Sequence, residues 1–116
     1  MSNVLIVEDN ELNRDMLSRR LERRGYAVTI AVDGQEGLEM LNQEPDLIIL
    51  DLEMPVMNGF EFLEKTTTAI PIIIFSGLEL SKQDVEGLQS QTLGLITKDN
   101  MGSGEKLLEA ITGAIS

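Results

Sequence analysis

Short apolar runs alternate along the chain with longer amphipathic stretches. The apolar runs lie at residues 4–7, 26–30, 47–50, 71–75 and 93–97. The run from 47 to 50 is unbroken and too short for a typical helix, which is typical of a strand buried on both faces of a parallel sheet. Tyr26, Val28 and Ile30 alternate with small or polar residues, as in a half-buried strand. Strands and helices that alternate five times predict an α/β domain with a doubly wound parallel sheet.

Amphipathic stretches predict five helices between and after these strands. They run from about residue 11 to 24, from Asp33 to about 42, from about 59, over 80–91, and from about 104. Asn10 and Asp33 are favourable N-caps, and Gly25 ends the first helix. The third helix should be short because three threonines follow it, and the fourth should be the least stable because its apolar anchors are few. The side chains expected to face the core are Met16, Leu17, Leu21, Leu38, Leu41, Phe60, Leu63, Leu107, Leu108, Ile111 and Ile115.

Polar side chains stand at the carboxyl ends of four of the predicted strands. Glu8 and Asp9 follow the first strand, Asp51 the third, Ser76 the fourth and Lys98 the fifth. If the sheet is parallel, these side chains converge on one edge, where open α/β sheets place their ligands. Taken alone, Asp51 is equally compatible with a turn cap. The other strand ends favour a functional carboxylate.

The three carboxylates of this group predict a cation site. Carboxylates at close range repel and raise one another's pKa unless a cation lies among them. A hard divalent ion with oxygen ligands, magnesium above all, suits this set. Lys98 would add a movable positive charge and Ser76 a hydroxyl group. The arrangement fits phosphoryl transfer, where catalysis consists mainly of positioning and charge neutralisation.

Four motifs in these positions resemble the receiver (CheY-like) domain of bacterial two-component response regulators. They are VEDN at residues 7–10, DLEMPVMNG at 51–59, FSG at 75–77 and TK at 97–98. The resemblance covers the whole chain, and four motifs in the right order at the right strand ends are together highly specific. It implies the flavodoxin-like strand order 2-1-3-4-5, with five flanking helices. It also implies a single receiver domain over residues 1–116, with no output domain visible.

The resemblance implies a phosphoryl acceptor role for Asp51. The donor would be a histidine kinase or a histidine phosphotransfer protein, and a downstream protein target would read the result. Lys98 would pair with the phosphoryl oxygens, and Ser76 would move to meet the phosphate. Such a domain catalyses its own phosphorylation and dephosphorylation and is not a turnover enzyme.

The resemblance also implies how Mg²⁺ is bound. Asp9 and Asp51 would bind the ion directly, together with the backbone carbonyl of Glu53. Glu8 would act through a water molecule.

Three positions depart from the family. Leu95 stands at the switch position, where a Tyr or Phe normally changes rotamer on phosphorylation. Asp99 follows Lys98 where a proline, often in a cis peptide, is usual, so we expect a trans peptide and a reshaped loop here. Leu78 is apolar where many relatives are polar, and this position and Glu53 are expected to tune the lifetime of the phosphoryl group.

All five arginines of the chain lie in the first predicted helix, at positions 14, 19, 20, 23 and 24. One interpretation is a solvated face with intrahelical pairs such as Asp15–Arg19, which are common and weak. The other is a docking surface for an acidic partner, with Leu12 as an apolar centre beside Arg19 and Arg23. The resemblance favours docking, because in the family this helix commonly contacts the phosphodonor.

Composition narrows the possible functions. A chain of 116 residues fits one domain with a modest core, and its formal net charge of −11 argues against nucleic acid binding. No apolar stretch approaches membrane-spanning length, and no charged-then-apolar leader follows Met1. The lack of cysteine is compatible with the cytoplasm, where we expect the protein to act without contacting a membrane. The lack of histidine excludes a histidine-based catalytic triad.

Two other functions compete with that of a phosphorylatable receiver. A pseudo-receiver, a binding module whose output ignores phosphorylation, would have lost Asp51, Lys98 or the acidic pair, and none is lost. A magnesium-dependent enzyme of the topoisomerase-primase or phosphatase-like kind would use Glu8 with Asp51 and Glu53. The net charge disfavours its nucleic-acid version, a phosphatase would want an aspartate at position 53, and neither version explains Ser76 together with Lys98.

Overall fold

The computed structural model describes residues 2–66, 68–98 and 103–115, and it has helices on both faces of a parallel sheet. Strands β1 to β5 are Asn3–Val7, Ala27–Ala31, Leu47–Leu50, Ile72–Ser76 and Gly94–Thr97. Helices α1 to α5 are Glu11–Arg23, Gly34–Met40, Gly59–Lys65, Lys82–Gln91 and Ser103–Ile115. A single 3-10 turn, Leu41–Gln43, follows α2.

The strand order is β2-β1-β3-β4-β5, and each neighbouring pair is parallel. The predicted fold class and strand order are therefore confirmed. β3 has a strand on both sides and helices on both faces, so each of its residues is buried. The direction of winding reverses between β1 and β3. Glu8 and Asp51 follow these two strands, which puts them at the point where doubly wound sheets bind ligands.

The core has one layer on each face of the sheet, because side chains alternate along each strand. The layer under α1 and α5 contains Val4, Ile6, Leu17, Leu21, Leu47, Ile49, Ile73, Phe75, Leu107, Leu108 and Ile111. The layer under α2, α3 and α4 contains Leu5, Val7, Ala31, Ile48, Leu50, Leu52, Met57, Phe62, Ile72, Ile74 and Leu88. Leucine, isoleucine and valine dominate both layers, as expected from a sequence with few aromatic residues.

The predicted helix caps form. The side chains of Asn10 and Asp33 accept hydrogen bonds from backbone N–H groups in the first turns of α1 and α2. Gly25, just beyond α1, has a φ of 89°, which favours glycine and lets the chain turn into β2. Capping boxes also begin α3 and α4 at Asn58 and Ser81.

Several expected core positions need correction. Leu17 and Leu21 are buried, but Met16 is 38% exposed and does not face the sheet, because it lies a full 100° around the helix from Leu17. In α3 the fully buried side chain is Phe62, whereas Phe60 and Leu63 are only half-buried. Such a short helix buries one narrow stripe, and Phe62 lies on it together with the glycine at its start.

The remaining helix predictions are closer to the structure. Leu107, Leu108 and Ile111 are buried, and Ile115 packs against them. Leu38 and Leu41 pack half-buried against the other layer. The second helix is shorter than expected, because its α-helical part ends at Met40 and continues only as the 3-10 turn.

β2, β4 and β5 begin one residue later than predicted, and β1 begins one residue earlier. At β2 the reason is local, because the backbone N–H of Tyr26 donates to the carbonyl oxygen of Leu21 at the end of α1 and not to a strand. The Lys98–Asp99 peptide and the loop after it lie outside the described residues. The expected trans peptide and reshaped loop therefore stay predictions. In the described ranges, no helix combines the length and apolar character needed to cross a membrane.

Candidate functional site

The carboxyl edge of the sheet carries a cleft of about 360 Å³. It is lined by Glu8, Asp9, Asn10, Asn13, Asp51, Glu53, Gly77 and Lys98. β1, β3 and β5 each deliver one or two of these side chains. Four of the five residues predicted to converge here therefore do so.

The carboxylates of this cleft form a compact group. One oxygen atom from each of Glu8, Asp9 and Asp51 lies within 4.8 Å of the other two. Glu8 is 2% and Asp51 5% exposed, while Asp9 lies at the open side of the cleft. Carboxylate oxygens are the donors that a hard divalent cation such as Mg²⁺ prefers, so the residues present fit such an ion.

The ammonium group of Lys98 lies between two of these carboxylates. Its Nζ donates to Oε2 of Glu8 at 2.5 Å and to Oδ2 of Asp51 at 3.3 Å. The three side chains point to the same face of the sheet, because Glu8 follows Ile6 and Asp51 follows Ile49 in the alternation of their strands. Two carboxylates of the described part of the cleft, those of Glu8 and Asp51, therefore share one ammonium group.

The other oxygen of Asp51 is also held. Its Oδ1 accepts a hydrogen bond from the backbone N–H of Glu53 at 3.2 Å. The backbone N–H of Asp51 donates to the carbonyl oxygen of Val7, which continues the pairing of β1 and β3 past the end of the strand. Backbone and side chain of Asp51 are thus both fixed relative to the sheet.

Burial raises the pKa of the Glu8 carboxyl above its ordinary value. The hydrogen bond from Lys98 opposes this effect, the neighbouring charge of Asp51 adds to it, and the positive charge of Lys98 and the backbone N–H of Asn10 oppose it. Burial is therefore the main cause of the raised pKa, and repulsion from the charge of Asp51 adds to it. A further cation there would relieve the same repulsion.

Ser76 does not join the other predicted residues. It is buried at the end of β4, and its Oγ accepts a hydrogen bond from the backbone N–H of Leu78 at 3.3 Å. It follows Ile74 in the strand alternation, so its side chain starts from the face covered by α3 and α4. Ser76 is therefore not one of the described residues that line the cleft.

Glycine is required where α3 begins beside the site. A Cβ atom on Gly59 would lie 2.5 Å from the carbonyl oxygen of Asp51 and 2.8 Å from the Cα of Leu52. Such contacts do not occur in real proteins, so only glycine lets α3 start this close to the phosphoryl-acceptor candidate. In the loop before it, Val56 has a φ of 65°, and the N–H of Met57 donates to the carbonyl oxygen of Pro55. A β-branched residue at positive φ is strained.

Two side chains near the site were missed by the sequence analysis. Nη1 of Arg14 donates to the backbone carbonyl oxygens of Glu8 at 3.1 Å and of Asp9 at 2.7 Å, which ties α1 to the loop that carries both acids. The ring of Phe75 has its centroid 5.5 Å from Nζ of Lys98. Arg14 lies one helical turn after the N-cap Asn10, and that position is the signal that its side chain can reach back to the loop before the helix. Phe75 directly precedes Ser76, and that adjacency is the signal that could have found it.

The arginine-bearing surface of α1 is partly as expected. Leu12 is 79% exposed and lines a groove of about 280 Å³ together with Asp15, Met16, Arg19, Arg20 and Arg23. In the part of the chain that the structure describes, Asp15 and Arg19 form no ion pair. Two further arginines pair with another helix. Nη1 of Arg20 and Nη2 of Arg24 lie 3.8 and 3.9 Å from the carboxylate oxygens of Glu105 in α5.

Comparison with known proteins agrees with this geometry. Residues 4–112 match the family described as the response regulator receiver domain. The transcriptional regulatory protein AfsQ1 of Streptomyces coelicolor is 34% identical over 105 residues, which cover 88% of this chain and 47% of that protein. The alkaline phosphatase synthesis transcriptional regulatory protein SphR of Synechococcus elongatus is 31% identical over 110 residues, with 84% and 43% covered. The chain spans less than half the length of these two relatives.

Solved structures give the same result over the full length of the chain. The chemotaxis response regulator CheY4 of Vibrio cholerae is 31% identical, covers 99% of each chain and superimposes with a TM-score of 0.84. A CheY-like receiver domain protein from Methanospirillum hungatei is 30% identical, with 97% of this chain and 92% of that one covered and a TM-score of 0.84.

Proposed function

Since this chain belongs to the response regulator receiver domain family of two-component systems, we propose that its Asp51 accepts a phosphoryl group. The donor is a histidine kinase or a histidine phosphotransfer protein, and the phosphorylated chain signals through contact with a downstream protein. One observation carries the proposal. Asp51 is a buried carboxylate at the end of the central strand, held by a backbone N–H on one oxygen and by an ammonium group on the other.

The transfer is an in-line displacement at phosphorus. An oxygen of Asp51 forms the new bond to phosphorus while the bond from phosphorus to the imidazole nitrogen of the donor breaks, and the electron pair leaves with that nitrogen. The N–H of Glu53 fixes the carboxylate plane. The ammonium group of Lys98, already 3.3 Å from Asp51, neutralises charge that develops on the phosphoryl oxygens.

The same cleft would hold Mg²⁺. We assign Asp9 and Asp51 as direct ligands together with the backbone carbonyl of Glu53, and Glu8 as a ligand through water. When bound, the ion would neutralise phosphoryl oxygens and the surplus of carboxylates. The three oxygen donors within 4.8 Å and the raised pKa of Glu8 support this assignment.

Two side chains must change partners when the phosphoryl group is in place. Ser76 would exchange its hydrogen bond with the N–H of Leu78 for one to a phosphoryl oxygen, and Lys98 would turn from Glu8 towards the same group. Glu53 lines the cleft, and Leu78 directly follows Gly77, another of its lining residues. From these positions their side chains would control the access of water to the new bond. We therefore propose that these two side chains set the lifetime of the phosphoryl group.

The groove on α1 is proposed to dock the phosphodonor. It combines an exposed leucine, Leu12, with the positive charges of Arg19 and Arg23 on a chain whose net charge is −11. An acidic donor surface with an apolar centre is complementary to it. Because α1 begins directly after the acidic loop, a donor docked there reaches Asp51.

Family membership makes the chain a signalling receiver and not a turnover enzyme. Catalysis of its own phosphorylation and dephosphorylation is part of the proposal. The pseudo-receiver alternative gains no support, since Glu8, Asp9, Asp51 and Lys98 are all present and converge in one cleft.

Replacing Asp51 by asparagine tests the proposal. The protein is incubated with magnesium and a small phosphodonor such as acetyl phosphate, and the intact mass and a peptide map are recorded. We expect one phosphoryl group on Asp51 in the unsubstituted chain and none in Asp51→Asn, because the amide oxygen is a poor nucleophile. Asp46→Asn, an exposed aspartate just before β3, should be labelled normally. A label that maps to any other residue would refute the assignment.

A further inference from the structure

We propose that Phe75 is a positioning residue for Lys98. The face of its ring holds the ammonium group at the site and so sets the rate at which Asp51 is phosphorylated. This inference rests on the proposed function of Asp51 for its effect on rate. The contact itself is independent of that function.

The contact has the geometry of a cation–π interaction. The centroid of the Phe75 ring lies 5.5 Å from Nζ of Lys98, inside the distance at which the negative face of an aromatic ring attracts a cation. Phe75 is 2% exposed and the side chain of Lys98 is 16% exposed. Such interactions strengthen when water is excluded, and the ring side of this contact is buried in the core.

The fold fixes this pair in register. Phe75 pairs with Ile96 across the parallel ladder of β4 and β5, and Lys98 follows Ile96 by two residues on the same face. The backbone N–H of Lys98 donates to the carbonyl oxygen of Ser76 at 3.0 Å, which extends the ladder to the lysine itself. The ring is packed in the core layer beneath α1 and α5, so it forms a rigid platform.

A ring holds the lysine differently from a carboxylate. The stem of Lys98 is flexible, and its ammonium group bonds to Glu8 at 2.5 Å, closer than to Asp51. A third carboxylate would neutralise the ammonium group further and compete with the phosphoryl oxygens. The ring attracts the cation without adding a negative charge, so it does not compete with the incoming phosphoryl group for the ammonium group.

Fluorinated phenylalanines introduced at position 75 separate this role from packing. Each fluorine weakens the negative face of the ring while its size changes little. We expect the rate of phosphorylation by acetyl phosphate to fall stepwise with the number of fluorines, by roughly three- to thirtyfold in total. Phe75→Tyr keeps the ring face, so its phosphorylation rate should stay near that of the unsubstituted chain. Phe75→Leu has no ring, and its rate should fall as far as that of the most fluorinated variant.

A second readout follows the lysine directly. In protein carrying ¹³C-labelled lysine, the methylene protons beside Nζ of Lys98 sit over the ring, and their chemical shift should move stepwise along the same series. The other three lysines, Lys65, Lys82 and Lys106, are internal references. The same series at Phe62, fully buried on the opposite face of the sheet, is the matched control and should change neither the rate nor the Lys98 signal.

The outcomes distinguish this inference from the proposed function. If the unsubstituted chain takes no label on Asp51, the proposed function fails, while the Lys98 signal still decides whether the ring positions the lysine. If Asp51 is labelled but the rate and the Lys98 signal are constant across the Phe75 series, Phe75 is only a core residue. An equal fall in the Phe62 series also overturns the inference, because it would show a general loss of packing.

Discussion

The surroundings of the site shift the pKa of the Glu8 carboxyl. Its carboxylate is buried, accepts a hydrogen bond from Lys98 and lies beside a second buried carboxylate, Asp51. Burial raises its pKa even though the lysine opposes the shift. The folded state therefore binds a proton at Glu8 more tightly than the unfolded chain does.

This raised pKa predicts a pH dependence of stability. Between the ordinary pKa of a glutamate and the higher pKa of folded Glu8, the folded state holds more protons, so the free energy of unfolding falls as pH rises. Glu8→Gln removes this titration. We expect the stability of Glu8→Gln relative to the unsubstituted protein to increase with pH through that window and then level off, measured by urea unfolding without magnesium.

The control for this experiment is Glu39→Gln, at an exposed position of α2. Its stability relative to the unsubstituted protein should not follow the same curve. A Glu8→Gln difference that shrinks as pH rises would show that the pKa of Glu8 is lowered and not raised.

At the scale of the element, α1 divides its arginines among three tasks. Arg14 holds the acidic loop through two backbone carbonyls, Arg20 and Arg24 lie near Glu105 of α5, and Arg19 and Arg23 flank the exposed groove. In the described part of the chain, Arg19 and Arg23 form no ion pair with an acidic side chain of another element. This pair can be reversed in charge without disturbing the site.

The double substitution Arg19→Glu with Arg23→Glu tests the docking surface. Transfer from the cognate kinase should slow roughly tenfold or more and lose part of its salt dependence, because rim charges act on association. Phosphorylation by acetyl phosphate should be unchanged. Lys65→Glu with Lys82→Glu, at exposed positions elsewhere, makes the same change in net charge and should leave both reactions intact. Equal slowing of both reactions in the arginine variant would indicate misfolding.

α4 is the element best suited to respond to phosphorylation. Leu88 is its buried residue, and its remaining side chains are half-buried or exposed. Leu95 of β5 packs half-buried against the same core layer, at the position where the family resemblance implies an aromatic ring. A leucine has no hydroxyl group and gains little from choosing an inward over an outward rotamer, so we expect it to couple the site to β5 weakly.

We therefore predict where a phosphate mimic acts. A beryllofluoride complex should change amide hydrogen exchange most in residues 77–91 and less around Leu95, because low local stability lets small forces reorder a segment. Leu95→Tyr should increase the response of β5. Leu93→Tyr places the same side chain at a position that is 60% exposed, so it should leave the response of β5 unchanged. A largest response at β5 in the unsubstituted chain, with 77–91 silent, would contradict this account.

At the scale of the whole molecule, the site exists only because the sheet is parallel and wound about β3. The Lys98–Glu8 contact joins residues 90 positions apart, and the Lys98–Asp51 contact joins residues 47 apart. Each side chain stands at the carboxyl end of a different strand. Unfolding therefore disperses the carboxylates, and any cation that they hold together must stabilise the fold.

Magnesium should raise the melting temperature of the protein. At tenfold its dissociation constant, an ion that binds only the folded state contributes about 1.4 kcal/mol. That corresponds to a rise of roughly 5 °C for a domain of this size. Differential scanning calorimetry measures the rise. It should shrink in Asp9→Asn, which removes a proposed ligand, and persist in Asp84→Asn, an exposed aspartate of α4. An equal rise in all three proteins would argue against a site at Asp9.

The sequence by itself determined the elements and the chemistry at their ends. An unbroken apolar run defined the central strand, because a strand buried on both faces needs no alternation, and alternation defined the second strand. Asn10 and Asp33 marked helix starts, because capping is a local interaction between a side chain and the next turn. Local patterns likewise placed Glu8, Asp9, Asp51 and Lys98 at strand ends. The strand order was implied by the family resemblance and not by periodicity.

Only the tertiary structure decided which way individual side chains face and what they contact. Met16 turned outward and Phe62 inward because the buried stripe of a helix depends on how it is set against the sheet. Ser76 stayed out of the cleft because alternation along β4 starts its side chain from the opposite face. The contact of Phe75 with Lys98 depends on the register of β4 and β5. Register and facing arise from packing between distant segments, so no local pattern in the sequence specifies them.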